Sequence, residues 1–314
     1  MTGTIGLSNC PIWKNIMPWL QIKIKTNPDN SEAYEDLLLS AGCAAVTFED
    51  SEDQPIFEPD LGTTPLWSNT TITGLFAAEH DLKATLRFLT QGHEQLFPHM
   101  PAPSINAEIL EDKDWEREWM ENYHPMKFGN RLWVCPSWKE TPEPDAVNLM
   151  LDPGLAFGTG THPTTALCLE WLDSQMLTDQ YIIDYGCGSG ILGIAGLLLG
   201  ASKAIGVDID PQALQATKDN LLRNNLADDI LHVFLPENAP QETADTLIAN
   251  ILAGPLVQLA PTLANLVKPK GKLCLSGLLS AQETEIRTAY SEWFDLDPIA
   301  EKDGWIRVTG TRKG

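Results

Sequence analysis

The ten residues Tyr181-Ile-Ile-Asp-Tyr-Gly-Cys-Gly-Ser-Gly190 join a short apolar strand to a glycine-rich turn, and a helix is predicted to follow over 189–199. Glycines in such a turn allow a tight bend and a close approach of the backbone to a ligand at the N-terminus of the helix. The next predicted strand ends in Asp208, 22 residues after Gly186. That spacing suits a carboxylate that accepts hydrogen bonds from ribose hydroxyls. The pattern predicts a nucleotide-binding unit at the start of an α/β sheet.

Two classes of cofactor, dinucleotides and sulfonium nucleosides, fit this unit, and the third glycine distinguishes them. The dinucleotide pattern G-x-G-x-x-G would require glycine at position 191, which is Ile191, whereas the third glycine is Gly190. Asp184-x-Gly-x-Gly-x-Gly190 resembles the first motif of class I S-adenosylmethionine-dependent methyltransferases. A dehydrogenase that uses a nicotinamide cofactor is the alternative from a different class, and a non-catalytic binding module is a third.

Downstream of Met126 the sequence predicts a doubly wound, Rossmann-like α/β domain, because apolar strands alternate with helices. The predicted strands and the closing antiparallel pair lie at 181–184, 204–208, 230–235, 246–250, 272–276, 295–299 and 305–311. The predicted helices of this domain lie at 189–199, 211–223, 255–266 and 281–290.

Upstream of Met126 the order β-α-β-β-α-β predicts a small α+β ferredoxin-like domain. Its strands are expected at 19–25, 44–48, 70–77 and 104–110, and its helices at 31–41 and 80–90. Asn30 or Ser31 is expected to cap the first helix, and Glu49 and Asp50 to open an acidic loop. The predicted division is a disordered extension over 1–16, the ferredoxin-like domain over 17–111, a helical linker over 112–125 and the catalytic domain over 126–314. Trp115, Trp119 and Tyr123 form one stripe on the linker helix.

Composition excludes several classes of function. The 314 residues carry a net charge of −22, which argues against a nucleic-acid-binding surface and permits a cationic partner. No apolar run approaches the roughly 18 residues that span a bilayer, and the first 15 residues do not resemble a secretion signal. The six cysteines are scattered, as is typical of free thiols in the cytoplasm, and no histidine spacing indicates a metal site.

Two further segments strengthen the methyltransferase interpretation. The loop Leu151-Asp-Pro-Gly-Leu-Ala-Phe-Gly-Thr-Gly-Thr-His-Pro-Thr-Thr165 leads into a helix, with His162 near its cap and Pro163 at its first position. Asn250-Ile-Leu-Ala-Gly-Pro255 follows the fourth strand, where amino-group methyltransferases carry Asn/Asp-Pro-Pro-aromatic. Together with Asp112-Lys-Asp-Trp-Glu-Arg-Glu-Trp119 and Ser276-Gly-Leu-Leu279, these segments resemble the ribosomal protein L11 methyltransferase family, PrmA.

This resemblance, which runs from residue 17 to the C-terminus, implies an activity and a set of residues. The implied reaction is trimethylation of the N-terminal α-amine and lysine side chains of free, not ribosome-bound, ribosomal protein L11. S-adenosyl-L-methionine is the implied methyl donor, and the ferredoxin-like domain is expected to recognise the substrate. The family's cofactor positions fall on Thr165, Gly186, Asp208 and Asn250, and Gly188 lies in the same glycine loop. Another acceptor, such as a small molecule or a glutamine of a release factor, is the alternative within this class.

Methyl transfer from a sulfonium is an in-line displacement, which requires alignment and no covalent nucleophile. The acceptor amine must be neutral, and a carboxylate beside it would hold the ammonium form. The amide of Asn250 is therefore the predicted catalytic group, because its oxygen can accept an amine N–H without that penalty. Asp208 is expected to bind the ribose, and Thr165 with the Phe157 loop to form a lid.

Overall fold

The computed structural model describes residues 19–52, 66–77, 79–110, 123–152 and 160–314. The chain divides into two compact units, Met1–Met120 and Glu121–Gly314. Three sequence predictions lie outside the described residues: the extension over 1–16, the part of the linker helix with Trp115 and Trp119, and the Phe157 loop. Tyr123, predicted on the same helix, is described; it is buried but does not belong to a helix, so the prediction was wrong there.

The N-terminal unit contains one antiparallel sheet with strand order β2-β3-β1-β4. Its elements follow the predicted order: β1 Trp19–Thr26, α1 Pro28–Ser40, β2 Ala45–Asp50, β3 Thr70–Ala77, α2 Leu82–Leu96 and β4 Ile105–Leu110. Leu20, Ile22 and Ile24 alternate along β1 and are buried, since successive strand residues point to opposite faces. They pack with Tyr34 and Leu38 of α1. The antiparallel sheet with two helices agrees with the predicted ferredoxin-like α+β fold.

Several predicted boundaries in this unit were wrong. Helix α1 begins at Pro28, not Ser31, because the Asn27 side chain caps it by accepting a hydrogen bond from the Asn30 N–H at 3.2 Å. Proline suits the first helical position, where no backbone N–H is needed. Glu49 and Asp50 belong to β2, where they pair with β3, and do not open a loop.

The C-terminal unit is built on a mostly parallel sheet with strand order β10-β9-β8-β11-β12-β15-β13, and β14 pairs with β15. The strands of this sheet are β8 Tyr181–Tyr185, β9 Lys203–Val207, β10 Leu231–Phe234, β11 Ala244–Asn250, β12 Val267–Leu279, β13 Phe294–Leu296, β14 Ala300–Lys302 and β15 Trp305–Arg312. Its helices are α3 Pro163–Ser174, α4 Ile191–Leu198, α5 Pro211–Arg223, α6 Ala253–Asn265 and α7 Glu283–Tyr290. The predicted doubly wound α/β fold with an antiparallel tail is confirmed.

Helices cover both faces of this sheet. Ile182 points into an apolar cluster that includes residues of α3, α4 and α5, whereas the next residue, Ile183, points into a cluster with α6 and α7. Strand β12 is much longer than the predicted 272–276, and α6 begins at Ala253, two residues before Pro255. Both differences leave the order of elements unchanged.

A small three-stranded sheet precedes α3 and was not predicted as separate strands. It consists of β5 Met126–Phe128, β6 Leu132–Cys135 and β7 Val147–Met150. Asp173, near the end of α3, accepts hydrogen bonds from the Asn130 N–H at 2.6 Å and the Arg131 Nε–H at 3.3 Å. On the other side, Arg307 of β15 donates from Nη1 to the Leu167 carbonyl at 2.7 Å. These contacts hold α3, whose first turn carries Thr165, against the sheets.

Within the described ranges no helix combines the length and apolarity that crossing a bilayer requires. The same ranges contain no group of three or more His, Cys, Asp or Glu side chains that could hold a metal ion. The cysteines there, Cys43, Cys135, Cys168, Cys187 and Cys274, are free thiols.

Candidate active site

The site lies at the carboxyl edge of the large sheet, where the direction of strand addition reverses. From β8 the chain adds β9 and β10 on one side, then crosses to add β11 and β12 on the other. Open α/β sheets bind ligands in the crevice at this switch point. Tyr185 of β8 pairs with Val207 of β9 and with Ala249 of β11. Gly186, Asp208 and Asn250 therefore lie at the same edge, at the carboxyl ends of three adjacent strands.

The glycine turn after β8 is held by backbone hydrogen bonds that only a tight bend permits. The N–H groups of Gly186 and Cys187 donate to the Val207 carbonyl at 2.6 and 3.1 Å. Gly186 has φ +80°, and a Cβ atom there would overlap Cγ2 of Ile251, the residue after Asn250. Glycine is thus required at 186 by the backbone conformation and by the close approach of the next strand's loop.

Two buried polar residues of α5 hold the glycine turn in place by hydrogen bonds to its backbone carbonyls. Thr217 Oγ1 donates to the Gly188 carbonyl at 3.0 Å, and Asn220 Nδ2 donates to the Ser189 carbonyl at 2.8 Å. The sequence predictions missed both residues. The sequence feature that could have indicated them is their place on the same buried face of α5 as Ala213 and Leu221, where a polar side chain needs a hydrogen-bond partner.

Asp208 lies directly against the glycine turn. Its Oδ2 accepts a hydrogen bond from the Gly188 N–H at 2.8 Å, and its Oδ1 accepts one from the Asp210 N–H at 3.0 Å. Asp208 is half-buried at the edge of the sheet. The geometry brings the predicted ribose-binding carboxylate and the predicted loop glycine into direct contact.

Asp184 is a titratable group that the sequence predictions did not single out. Burial raises its pKa to about 7, the hydrogen bond from the Gly193 N–H at 2.8 Å lowers that pKa, and the Asp208 carboxylate raises it. Burial also raises the pKa of the neighbouring Cys187 thiol, and the charge of Asp184 adds to that shift. Cys187 is therefore a neutral thiol at neutral pH and is unsuited to act as a nucleophile.

Asn250 and Thr165 are brought together from positions 85 residues apart. Asn250 Nδ2 donates to Thr165 Oγ1 at 3.3 Å, and Thr165 is buried in the first turn of α3. The Asn250 Oδ1 atom is buried and accepts no hydrogen bond from any described residue. A buried acceptor without a partner is costly, and such atoms mark places where a ligand can supply the missing donor.

The first turn of α3 is set by His162, as the sequence predicted. His162 caps the helix: its Nδ1 accepts from the Thr164 N–H at 3.3 Å and lies 2.7 Å from Thr164 Oγ1. Burial lowers the pKa of His162, which favours the neutral form of the ring. The ring also meets the Trp305 ring nearly edge to face, with centroids 4.8 Å apart.

Comparison with known proteins identifies the family. The family model described as "Ribosomal protein L11 methyltransferase (PrmA)" matches residues 18–313. A ribosomal protein L11 methyltransferase of Pseudomonas fluorescens (strain SBW25) is 58% identical over 297 residues, covering 95% of this chain and 100% of the relative. The protein of the same name from Pseudomonas aeruginosa (strain LESB58) is 59% identical over 297 residues, covering 95% and 99%.

A solved structure agrees with these relatives. The crystal structure of ribosomal protein L11 methylase from Lactobacillus delbrueckii subsp. bulgaricus has a TM-score of 0.55 and 31% identity, and covers 61% of this chain and 100% of that chain. The family model extends over both units and includes the switch-point edge with Gly186, Asp208 and Asn250. The chain belongs to the ribosomal protein L11 methyltransferase (PrmA) family.

Proposed function

We propose that this protein transfers methyl groups from S-adenosyl-L-methionine to the N-terminal α-amine and lysine side chains of ribosomal protein L11, up to the trimethyl state. Relatives that are 58% and 59% identical over nearly the whole chain are named ribosomal protein L11 methyltransferase, which supports the substrate. The buried Asn250 Oδ1 atom, which lacks a donor among the described residues, is the observation that carries the chemistry.

The residues at the switch point fit a sulfonium nucleoside. The half-buried Asp208 carboxylate can accept ribose hydroxyls, and it already touches the turn through the Gly188 N–H. Gly186 and Gly188, with φ +80° and +54°, give the turn a tight left-handed bend that residues with side chains rarely adopt. Thr165 and Asn250 would bound the same ligand across the crevice. When bound, S-adenosyl-L-methionine supplies a methyl group activated by a positively charged sulfur.

The chain's own residues must present the acceptor as a neutral amine. Deprotonating a lysine of pKa about 10.4 at pH 7 costs about 4.6 kcal/mol, and an α-amine near 7.8 costs about 1 kcal/mol. Asn250 bears no charge, so it adds nothing to this cost. Its Oδ1 can accept one N–H of the amine and direct the nitrogen lone pair, while Thr165 accepts from Nδ2 and fixes which end of the amide faces the acceptor.

The N-terminal unit is proposed to recognise L11. Residues 17–111 hold 4 Lys or Arg and 15 Asp or Glu, a net charge of −11, which would attract a lysine-rich protein. We also propose that the substrate is free L11, and that residues 112–125 join this domain to the catalytic domain over 126–314. Free thiols at every described cysteine support a reducing location such as the cytoplasm.

The test is transfer of radiolabelled methyl groups from S-adenosyl-L-methionine to unmethylated L11, followed by intact-mass analysis. Free L11 and ribosomal subunits that contain unmethylated L11 are compared as acceptors. We expect successive additions of one methyl unit to free L11, and loss of transfer in Asn250→Ala. Asn265→Ala, an exposed position at the end of α6, serves as the matched control. Label in a small molecule or a release factor but not in L11, or a co-purified nicotinamide cofactor, would overturn the proposal.

A further inference from the structure

The proposed hydrogen bond from the acceptor amine to Asn250 Oδ1 requires an N–H group, and each methyl transfer to the same nitrogen removes one. A neutral primary amine has two N–H groups, and a monomethylated amine has one. A neutral dimethylated amine has none, so Asn250 Oδ1 cannot orient it by a hydrogen bond. If the protein completes trimethylation as proposed above, another group must hold the nitrogen during the third transfer.

The first turn of α3 connects Asn250 to an aromatic surface. Thr165 in this turn contacts the Asn250 amide at 3.3 Å, and His162, three residues earlier, contacts the Trp305 ring with a centroid distance of 4.8 Å. Trp305 is partly exposed. The start of α3 therefore contacts both an indole ring and the amide that is proposed to orient the acceptor amine.

Strand pairing places Trp305 at the same edge of the sheet as Asn250. Asn250 pairs with Ser276 on β12, and three residues further along β12, Leu279 pairs with Trp305 on β15. Trp305 also lies on the α3 side of β15, because Arg307, two residues later on the same face, donates to the Leu167 carbonyl of α3. The indole thus borders the crevice on the side where α3 begins.

The electrostatics of this surface suit a methylated amine. The indole face is the aromatic surface that binds methylammonium groups best, through attraction of the cation to the ring quadrupole. His162 beside it is held by Thr164, and burial lowers its pKa, which favours the uncharged ring. The neighbouring ring therefore does not repel a positively charged nitrogen.

We propose that Trp305, positioned by His162, forms an aromatic wall of the acceptor pocket that receives the dimethylated amine and favours the third methyl transfer. This inference rests on the proposed function. In the third transfer, the lone pair of the tertiary amine forms the new N–C bond. The S–C bond of the donor breaks with its electron pair remaining on sulfur, and the positive charge passes to nitrogen with no proton released. The growing charge on nitrogen is what the indole face stabilises.

The test follows the N-terminal amine of L11 through its mono-, di- and trimethyl forms by mass spectrometry, using the full-length enzyme and saturating S-adenosyl-L-methionine. The variants are Trp305→Leu, which removes the aromatic ring, and Trp305→Phe, which keeps a weaker one. Trp293→Leu, a partly buried tryptophan between α7 and β13, is the control for loss of an indole. Three successive rates are fitted for each enzyme.

We expect Trp305→Leu to slow the third transfer by about 3- to 30-fold more than the first, the range of a cation–aromatic contact, because in the first transfer an amine N–H can still bind Asn250. Dimethylated L11 should accumulate, and Trp305→Phe should recover part of the third rate. An equal loss in all three steps, which a purely structural role would cause, or trimethylation by Trp305→Leu at the wild-type rate, overturns the inference. Failure of the wild-type enzyme in the first transfer would instead contradict the proposed function.

Discussion

At position 250 the chain carries an amide where a carboxylate of nearly the same size would fit. We expect Asn250→Asp to keep an oxygen for the amine N–H but to stabilise the ammonium form, raising the amine pKa by about 1–3 units. The pH–rate profile for the first methyl transfer should move to higher pH by that amount. Asn265→Asp, exposed at the end of α6, should leave the profile in place. A profile that drops in height without moving along the pH axis would contradict this role.

The Asp208 side chain can be tested separately from the chemistry. Asp208→Asn removes the charge that would strengthen hydrogen bonds from ribose hydroxyls, while one oxygen remains for the Gly188 N–H. Hydrogen bonds to a charged group contribute about 1.5–3 kcal/mol, so affinity for S-adenosyl-L-methionine should fall roughly 10- to 150-fold by isothermal titration. Asp219→Asn on the exposed side of α5 is the control. Unchanged binding by Asp208→Asn would exclude Asp208 from the ribose site.

The buried Asp184 carboxyl should make stability depend on pH. Because burial raises its pKa to about 7, the folded protein binds more protons than the unfolded chain between the ordinary carboxyl pKa and 7. Stability then falls as pH rises through that window. Asp184→Asn keeps an acceptor for the Gly193 N–H and does not titrate. The free energy of unfolding of Asp184→Asn relative to wild type should therefore increase by roughly 2 kcal/mol, or about 4–8 °C in Tm, as the pH rises from 5 to 8. A Tm difference that is constant with pH would contradict the prediction.

Among the connecting elements, the loop after β11 is clamped by two glycines. Gly186 lies against the Ile251 side chain, and a Cβ on Gly277, which has φ +84°, would overlap the Ile251 carbonyl. Ile251 follows Asn250 directly, so the clamp sets the position of the amide. The position of Asn250, which is proposed to orient the acceptor amine, thus depends on the glycine turn through a contact with Ile251 that involves no catalytic atom.

Gly186→Ala tests this clamp. The left-handed backbone costs a non-glycine residue about 1–2 kcal/mol, and the new methyl group would displace Ile251. We expect a lower Tm, weaker S-adenosyl-L-methionine binding and slower methyl transfer together. Gly254→Ala in α6 is the matched control, because its added Cβ meets no atom within 4 Å apart from its chain neighbours and its own helix backbone, and alanine favours a helix. Loss of cofactor binding with full transfer at saturating cofactor would show that the clamp does not position Asn250.

Central strands and helix starts could be predicted from sequence where local signals are strong. Thr70–Ala77 and Pro211–Arg223 agree with the predicted bounds, because each combines an apolar pattern with clear end signals. The full length of strand β12 could not be predicted beyond 272–276, since Gly271 and Gly277 interrupt its apolar run. Its ends are held by pairing with β11 and β15, which no local pattern records.

In the candidate site, too, some residues follow from the local sequence and others depend on the tertiary fold. Gly186 and Asp208 follow from a local motif, but the hydrogen bond between Asn250 and Thr165 joins residues 85 positions apart. Thr217 and Asn220 act on the turn only after α5 has packed, and the pKa of Asp184 depends on its complete burial. Contacts and burial are products of the tertiary fold, so residue types alone do not specify them.

Over the whole molecule, acidity is unevenly distributed along the chain. Residues 17–111 carry −11 of the net −22, in less than a third of the length. A field of one sign raises the rate at which an oppositely charged partner associates. The acidic residues of this region are therefore expected to act on encounter with L11, and not on the methyl-transfer step.

Salt and local neutralisation test this expectation together. The KM for L11 should rise as ionic strength increases from 0.1 to 1 M, where the screening length shrinks from about 10 to 3 Å, while kcat stays constant.

Glu32→Gln with Asp36→Asn, both exposed on α1, should reduce that salt dependence of KM. Asp228→Asn with Asp229→Asn, exposed in the catalytic unit, changes the net charge equally and should leave it unchanged. If both pairs act alike, overall charge and not the N-terminal unit attracts the substrate. If KM does not respond to salt, L11 is recognised by uncharged contacts and the acidity does not recruit it.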